Sequence, residues 1–330
     1  MPSRRARHAK LAALLTSCTD GELAALVDSG PASGVGVGGG SAVLDVDGVS
    51  VFAKRIPLTD RELARPRSTA NLFDLPVFCQ YGIGSPGFNA WRELAANMLV
   101  TDAVLAGETE AFALLHHWRV LPGRSPVAAE HADIDSAVAA LGGRPAVRAR
   151  LQALATASCS LVLFSEYIPY PVISWLHEDP TSKADTVERQ LSRIVAFLRR
   201  RELLHMDGHF GNMRTDGTRL YLTDFGLATS PRFDLSAAEH DFARRNATHD
   251  AGYAAMRLVN WLVTAVCGVA SDGPRARNEY VLRCAAGHVP DDVPSAVTAI
   301  LTRHAPAAAK MNSFYWRLFG GDVLAEYPGS

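Results

Sequence analysis

The segment 203–228, LLHMDGHFGNMRTDGTRLYLTDFGLA, constrains this chain more than any other part of it. Asp207 and Asn212 stand in a fixed pattern there, and Asp224 follows a TDGT turn and a short apolar strand, RLYLT. Transfer of a phosphoryl group needs such a set, because charge builds on non-bridging oxygens and the protein must position the reactants and neutralise that charge. Carboxylate and amide oxygens suit Mg²⁺, and another carboxylate can orient an attacking hydroxyl. The segment therefore predicts a magnesium-dependent phosphotransfer site.

This pattern resembles the catalytic and metal-binding loops of the protein-kinase-like superfamily. HxDxxxxN begins at His205, and DFG begins at Asp224. The fuller string DGHFGN is similar to the DxHxGN loop of aminoglycoside phosphotransferases and UbiB-type atypical kinases. In eukaryotic protein kinases a lysine usually follows the loop aspartate by two positions, and here His209 stands there. The departure points away from an ordinary protein kinase.

The resemblance implies roles for three residues of this segment. Asp207 is expected to be the catalytic base or the residue that positions the acceptor hydroxyl. Asn212 and Asp224 are expected to be the ligands of Mg²⁺, with ATP as the phosphoryl donor. For His205 and His209, a hydrogen-bonded scaffold role is the simpler interpretation and a catalytic role is the alternative.

Lys54 is expected to bind the nucleotide. It stands in VFAKR and is the only lysine of the chain within a predicted strand. It resembles the strand lysine that pairs with the α- and β-phosphates, although a solvent-facing lysine at a strand end is the alternative. Glu93, in a helix predicted over 89–106, resembles the glutamate that holds this lysine. Glu62, in TDREL, is a rival that lies nearer in sequence.

A glycine-rich stretch, SGVGVGGGS, covers residues 33–41. The alternating sequence AVLDVDGVSVFAKRI follows it and predicts two strands joined at Asp47 and Gly48. The resemblance implies that backbone amides of the stretch approach the phosphates, since glycine has no side chain to prevent this. The cofactor-binding candidates are Gly36, Gly38, Gly39 and Gly40. Because GVGVGGGS departs from GxGxxGxV, a flexible turn is the alternative.

The strand LVLFSEYIP within residues 160–169 resembles the strand and hinge that bind adenine. In that resemblance a backbone carbonyl and a backbone amide bond the purine edge. By position, these groups belong to Glu166 and Ile168. A plain buried edge strand is the alternative.

The motifs run in the order glycine loop, lysine, helix glutamate, hinge, catalytic loop and DFG, and together they cover about residues 33–270. The resemblance therefore implies an α+β, bilobal, protein-kinase-like fold. Residues 1–168 are expected to form a β-rich nucleotide-binding lobe with N-terminal helices and one key helix. Residues 169–330 are expected to form a mostly helical lobe that carries the catalytic loop and DFG. Residues 57–88, rich in proline, glycine and aromatics, are interpreted as an ordered insertion.

Composition narrows the class of partner. The 330 residues are 48% hydrophobic, enough for a sizeable core, and 33 basic residues nearly balance 34 acidic ones. The chain therefore has no excess of positive charge that would attract it to nucleic acid or to an anionic membrane. Five scattered cysteines without a CxxC pair fit a reducing cytoplasm. The longest apolar stretch, 258–270, is too short to span a bilayer and predicts a buried helix.

The acceptor is expected to be a hydroxylated small molecule, such as an antibiotic or a metabolite. No APE motif follows DFG, and that motif belongs to the protein-kinase signature. An atypical protein Ser/Thr kinase is the alternative, since LTDFGLA is very similar to the protein-kinase form. A nucleotide-binding pseudokinase scaffold is a third possibility, and the intact set of predicted catalytic residues argues against it. A cationic acceptor has candidate partners in Asp234, Glu239, Asp241 and Asp250.

Overall fold

A computed structural model describes residues 3–36, 39–270, 273–290 and 292–329. Over these residues the protein is α+β, with antiparallel sheets and many helices. The chain divides into two compact units. Unit 1 comprises Met1–Ile168 and Asp224–Glu239, and unit 2 comprises Pro169–Thr223 and His240–Ser330.

A five-stranded antiparallel sheet forms the centre of unit 1, with the strand order β1-β2-β3-β5-β4. The strands are β1 (Ala32–Gly36), β2 (Gly39–Val46), β3 (Val49–Leu58), β4 (Leu115–Pro122) and β5 (Cys159–Glu166). β2 and β3 form the predicted hairpin, with Val46 opposite Val49. Asp47 and Gly48 have φ angles of 55° and 75°. Two positive φ angles are the signature of a type I′ turn, so the turn prediction from Asp-Gly is confirmed.

Helices cover both faces of this sheet. They are α1 (Arg4–Ser17), α2 (Asp20–Ser29), α3 (Asp60–Leu63), α4 (Ala90–Ala106), α5 (Ile134–Ala140) and α6 (Pro145–Ala155), with 3₁₀ turns at Val77–Gln80 and Ala129–His131. Leu11 and Leu15 of α1 pack on one face with Phe164 of β5. Trp91 of α4 packs on the other face with Leu58 of β3.

Side-chain caps mark the starts of two helices, and the helix predicted over 89–106 is confirmed as α4. Thr19 and Glu22 form a capping box at the start of α2, each side chain bonding the backbone of the other. The Asn89 side chain accepts a hydrogen bond from the Trp91 amide at the start of α4. Such caps satisfy amide groups that have no partner within the helix, which is why short polar residues mark helix starts in a sequence.

Unit 2 is mostly helical. It contains a three-stranded sheet in the order β6-β7-β8 and helices packed against one another. Its elements are β6 (Tyr170–Pro171), α7 (Val172–His177), α8 (Pro180–Arg200), β7 (Met213–Thr215), β8 (Leu220–Leu222), α9 (Ala237–Arg245), α10 (His249–Ala265), α11 (Pro274–Ala285) and α12 (Ser295–Phe319), with a 3₁₀ turn at Phe210–Asn212. The boundary between the units falls within α9. The apolar run that begins at Leu258 lies in α10 as a buried helix up to Ala265, and the residues after it are not helical. Among the described helices, none is both long and apolar enough to cross a membrane.

The N-terminal helix α1 is fixed to the sheet partly through a histidine pair. The Nδ1 atoms of His8 and His116 lie 3.0 Å apart. Burial, with the nearby His8, Arg4 and Arg7, lowers the pKa of His116 to about 3. Since His116 is 7% exposed, it stays neutral at physiological pH.

We expect the free energy of unfolding to fall as the pH drops below 6.5, the ordinary pKa of histidine. Below that pH, His116 binds a proton in the unfolded chain but not in the folded protein. This group alone should remove about 1 kcal/mol of unfolding free energy between about pH 7 and pH 5.5. Urea unfolding at both pH values should show that the unfolding free energy changes less with pH in His116→Gln than in the wild type. His288→Gln, at an exposed histidine, is the control and should keep the wild-type change. An unaltered pH dependence in His116→Gln would contradict the assignment.

Candidate functional site

Three of the predicted residues meet in unit 1 around the Lys54 ammonium. Lys54 Nζ donates to Glu93 Oε1 at 2.7 Å and to Asp224 Oδ1 at 2.8 Å. The side chains of Lys54 and Glu93 are 12% and 4% exposed, whereas that of Asp224 is 42% exposed. The arrangement therefore has a buried cation and a buried anion behind an accessible carboxylate.

The strand period places Lys54 at this position. Successive side chains of a strand point to opposite faces, so Lys54 shares a face with Ile56 and Leu58. These two residues pack against Trp91 and Leu94 of α4. Glu93 belongs to the same helix, and the Asn89 cap fixes where that helix begins. Lys54 of β3 and Glu93 of α4 thus form a contact although they are 39 positions apart in sequence.

Charge balance keeps Lys54 protonated. Burial alone would lower the pKa of the ammonium, but the negative charges of Asp224 and Glu93 outweigh it and raise the pKa above the ordinary value. Burial raises the pKa of Glu93 to about 7, with Asp224 adding to the effect and Lys54 opposing it. Lys54 is consequently a fixed cation suited to an anionic ligand.

Glu62, the rival for this lysine, lies elsewhere. Its carboxylate is fully buried and accepts hydrogen bonds from Arg150 at 2.8 and 3.0 Å. It also accepts from the Thr59 amide and hydroxyl and from the Ala90 amide. This network joins α3, α4 and α6 and gives Glu62 a structural role. Of the two glutamates, Glu93 is the one that contacts Lys54.

Asp224 is held in an unusual backbone conformation. Its φ angle is 63°, in the left-handed region, which Asp tolerates better than most residues. Its Oδ1 also accepts a 3.3 Å hydrogen bond from the Gly226 amide. The next residue, Phe225, is buried, and its ring centroid lies 6.1 Å from that of Phe112. Strained backbone held by its surroundings is common at functional sites.

The other predicted catalytic residues, Asp207 and Asn212, lie together in unit 2. Asn212 Nδ2 donates to both the backbone carbonyl and Oδ2 of Asp207, each at 3.0 Å. The amide nitrogen is therefore used to fix the loop, which leaves Asn212 Oδ1 as the atom that suits a cation. The Asp207 side chain is 22% exposed. An accessible carboxylate and an amide oxygen thus lie on one short loop.

Asp250 anchors this loop, a role that the sequence did not predict. Its carboxylate accepts from the His205 amide at 2.7 Å and from the Met206 amide at 3.0 Å. Met206, directly before Asp207, has a φ angle of 68°, which is costly for a residue with an unbranched side chain. Two charge-assisted hydrogen bonds help to hold that strained conformation. The sequence analysis considered Asp250 only as a candidate partner for a cationic acceptor, which indicated no contact with the loop.

The two loop histidines have different environments. His205 is fully buried, its Nε2 lies 3.0 Å from the Thr223 carbonyl, and its Nδ1 accepts from the Asp207 amide at 3.3 Å. Because a carbonyl only accepts, the proton belongs on Nε2, and His205 serves as a scaffold. His209 is 34% exposed, with Nε2 at 3.6 Å from Asp207 Oδ2. Its Nδ1 accepts from the Gly211 amide at 3.0 Å, which caps the 3₁₀ turn.

The glycine stretch is only partly described, and Gly38 lies outside the described residues. Gly36 and Gly39 pair across β1 and β2. A Cβ at Gly39 would lie 2.2 Å from the Arg55 carbonyl oxygen, and the φ angle there is 115°. The Gly40 amide donates to Ser125 Oγ at 2.9 Å. The Arg55 backbone thus leaves no room for a side chain at Gly39, and a Cβ at Gly40 would lie 2.5 Å from the Ser125 hydroxyl oxygen. The role of these glycines in phosphate binding stays a prediction.

Glu166 and Ile168 end the β5 region in unit 1. The Glu166 amide donates to the Leu114 carbonyl at 2.8 Å, and its carboxylate is bound by Arg4 of α1, with Nε at 2.9 Å from both oxygens. Burial of Ile168 is nearly complete. The Glu166 amide therefore has a partner within the sheet region, and the purine contacts of the hinge stay a prediction.

The carboxylates considered for a cationic acceptor have internal partners. Asp234 Oδ2 accepts from the Thr69 amide at 3.1 Å, and Glu239 Oε1 accepts from Arg92 at 2.6 Å. Asp250 anchors the loop that carries Asp207, as described. Asp241 is exposed and pairs with Arg244, its neighbour on α9. The structure gives no support to a cation site formed by these four residues.

Asp224 of unit 1 and Asn212 of unit 2 each have an oxygen of a kind that suits Mg²⁺. No cluster of three or more His, Cys, Asp or Glu side chains able to hold a metal occurs in the described part of the chain. Mg²⁺ does not need one, because it is usually held by one or two protein carboxylates together with phosphate oxygens and water. Asp224 supplies an accessible carboxylate, and Asn212 supplies an amide oxygen whose nitrogen is already bonded. Both residues therefore fit the predicted metal chemistry.

No protein-family model matches the chain, and no curated protein matches it either. Its function must therefore be inferred from its motifs and their geometry.

Proposed function

We propose that this protein is an ATP- and magnesium-dependent kinase with a bilobal, protein-kinase-like fold that transfers the γ-phosphoryl group to a hydroxyl of a small molecule. The contact set of Lys54 carries the proposal. A buried lysine with a raised pKa bonds a buried glutamate and an accessible aspartate, which is the set needed to hold a metal-bound triphosphate. The antiparallel order β1-β2-β3-β5-β4, with α4 against β3, supports the same proposal.

Each residue has a distinct task in the proposed reaction. Lys54 binds the α- and β-phosphates, and Glu93 keeps the ammonium oriented toward them. Mg²⁺, when bound through Asn212 and Asp224, neutralises charge on the phosphate oxygens. Asp207 accepts the proton of the attacking hydroxyl, or orients that hydroxyl toward phosphorus.

The catalytic loop supports proton acceptance at Asp207. Its Oδ2 is fixed by Asn212 at 3.0 Å and lies 3.6 Å from His209 Nε2. Asp250 holds the two preceding amides, so the carboxylate is presented from a rigid loop. A base held in place in this way loses little freedom when the acceptor binds.

The class of acceptor can be determined with labelled ATP. We expect purified protein, [γ-³²P]ATP and Mg²⁺ to label a species in the small-molecule fraction of a cell lysate and to leave the protein fraction unlabelled. Label in the protein fraction would favour the atypical Ser/Thr kinase. Tight ATP binding with no label transferred to either fraction would favour the pseudokinase scaffold and contradict the proposal. An Asp207→Asn preparation controls for contaminating kinases.

A further inference from the structure

The insertion 57–88 contacts the segment Asp224–Glu239 at several points along its length, and all of these residues belong to unit 1. Near the start of the segment, Gln80 Nε2 donates to the Leu227 carbonyl. Gly87 approaches the same region so closely that a Cβ there would lie 3.3 Å from the Gly226 carbonyl oxygen. Gln80 is 3% exposed, so a loss of its hydrogen bond to Leu227 would leave a buried side-chain donor without that partner.

In the middle of the segment, Thr69 and Asp234 bond reciprocally. The Thr69 amide donates to Asp234 Oδ2 at 3.1 Å, and the Asp234 amide donates to Thr69 Oγ1 at 2.8 Å. Ser68 Oγ lies 3.4 Å from the same carboxylate oxygen. Thr69 and Asp234 are 165 positions apart in sequence, and their two hydrogen bonds fix which part of the insertion lies against which part of the segment.

At the end of the segment, Arg92 of α4 completes the connection. Its side chain is 1% exposed, and it donates to the Thr69 carbonyl and to Glu239 Oε1, each at 2.6 Å. Its guanidinium carbon lies 5.0 Å from the Phe88 ring centroid and 6.0 Å from that of Phe233. Glu239 Oε2 in turn accepts from the Ser236 amide at 3.0 Å. The segment is thus held at its start, middle and end.

The hydroxyls nearest to Asp224 within this segment are inaccessible. Thr229 is 2% exposed and Ser230 is fully buried. Ser230 Oγ also accepts from the Arg232 amide at 3.3 Å. A kinase that modified either hydroxyl would first have to open the segment.

We propose that Gln80, Thr69 and Arg92 are positioning residues, which hold the segment after DFG in a state that keeps Asp224 against Lys54 without phosphorylation of Thr229 or Ser230. This role rests on the proposed phosphotransferase function. The insertion thereby performs, through fixed hydrogen bonds, the ordering that phosphorylation of an activation loop performs in regulated kinases. The enzyme is active as folded.

The first test is proteolysis in the absence of nucleotide, which does not depend on any phosphotransfer activity. Arg232 is exposed and lies within the segment, so trypsin cleavage after it reports local opening. We expect Gln80→Met and Thr69→Val each to speed this cleavage by about tenfold, the effect of losing one buried hydrogen bond. Arg61→Met is the matched control, because exposed Arg61 bonds Leu72 and stacks on Phe73 within the insertion only. Unchanged cleavage in both variants, with normal thermal unfolding midpoints, would overturn the proposal.

The second test separates positioning from general stability. We expect Gln80→Met to raise the Mg²⁺ concentration needed for half-maximal ATP binding, measured by calorimetry, while Arg61→Met leaves it unchanged. Arg92→Met removes a buried ion-pair partner and is expected to fold poorly. Arg92→Lys keeps the positive charge, so we expect its Mg²⁺ concentration for half-maximal ATP binding to lie between those of the wild type and Gln80→Met. An unchanged Mg²⁺ requirement in Gln80→Met would overturn the positioning role.

The third test concerns phosphorylation. Intact mass and phosphatase treatment should show no phosphate on Thr229 or Ser230 and no loss of ATP binding. A phosphate whose removal abolishes binding would overturn the proposal. If the proteolysis and Mg²⁺ effects are seen but no acceptor is labelled, the proposed phosphotransfer fails while the positioning of the segment stands.

Discussion

Asp207→Asn is expected to lower the rate of phosphotransfer by about 10²- to 10⁴-fold while ATP binding stays near the wild-type level. Asparagine keeps an oxygen that can accept from Asn212 Nδ2, so the loop geometry is retained. It loses the charge that accepts or attracts the hydroxyl proton. The measurement is turnover with the labelled acceptor, alongside ATP affinity by calorimetry.

Three further variants show whether the loss at Asp207 is specific. Asp185→Asn, at an exposed aspartate of α8, removes the same charge from the surface of unit 2 and should keep full activity. Lys54→Met should instead weaken ATP binding, and it leaves the Glu93 carboxylate buried without its cation. Adding Glu93→Gln should restore stability to that variant but not ATP binding. Wild-type turnover in Asp207→Asn would contradict the catalytic assignment.

Asp224→Asn is expected to abolish activity at ordinary magnesium concentrations, a loss greater than about 10²-fold, because a charged metal ligand is removed. Asparagine is the informative substitution because the φ angle of 63° strains alanine, which would confuse a folding defect with metal loss. Mg²⁺ titration at fixed ATP should show a much weaker apparent affinity. Full activity at ordinary magnesium would reject the metal assignment.

Asn212→Ala provides the comparison for the second proposed ligand. It removes a neutral oxygen and should be partly rescued by excess Mg²⁺, since the charged ligand remains. It also frees Asp207 Oδ2 from its hydrogen bond, so a residual rate defect at saturating Mg²⁺ is expected. Identical Mg²⁺ dependence in wild type and Asn212→Ala would exclude this residue as a ligand.

Local features of the fold could be predicted because local chemistry causes them. Asp47-Gly48 predicted a type I′ turn since these residues accept positive φ angles. The helix predicted over 89–106 begins after the Asn89 cap, whose side chain satisfies a free amide group. The catalytic-loop and DFG strings are also short, so the sequence alone indicated Asp207, Asn212 and Asp224 as the residues to examine.

Partners distant in sequence were decided only by tertiary structure. Lys54 bonds Glu93 across 39 residues, while the nearer Glu62 is taken by Arg150. The Gly40 amide donates to the hydroxyl of Ser125, 85 residues away in sequence.

The sequence by itself determined local turns and helix caps, and it indicated the residues whose chemistry suits the proposed phosphotransfer. Tertiary structure decided that Asp250 anchors the loop that carries Asp207 and that Thr69 of the insertion bonds Asp234 of the segment after DFG. The physical reason is competition: a carboxylate or an amide suits many partners equally well, and only packing determines which of them is close enough, and buried enough, to bond.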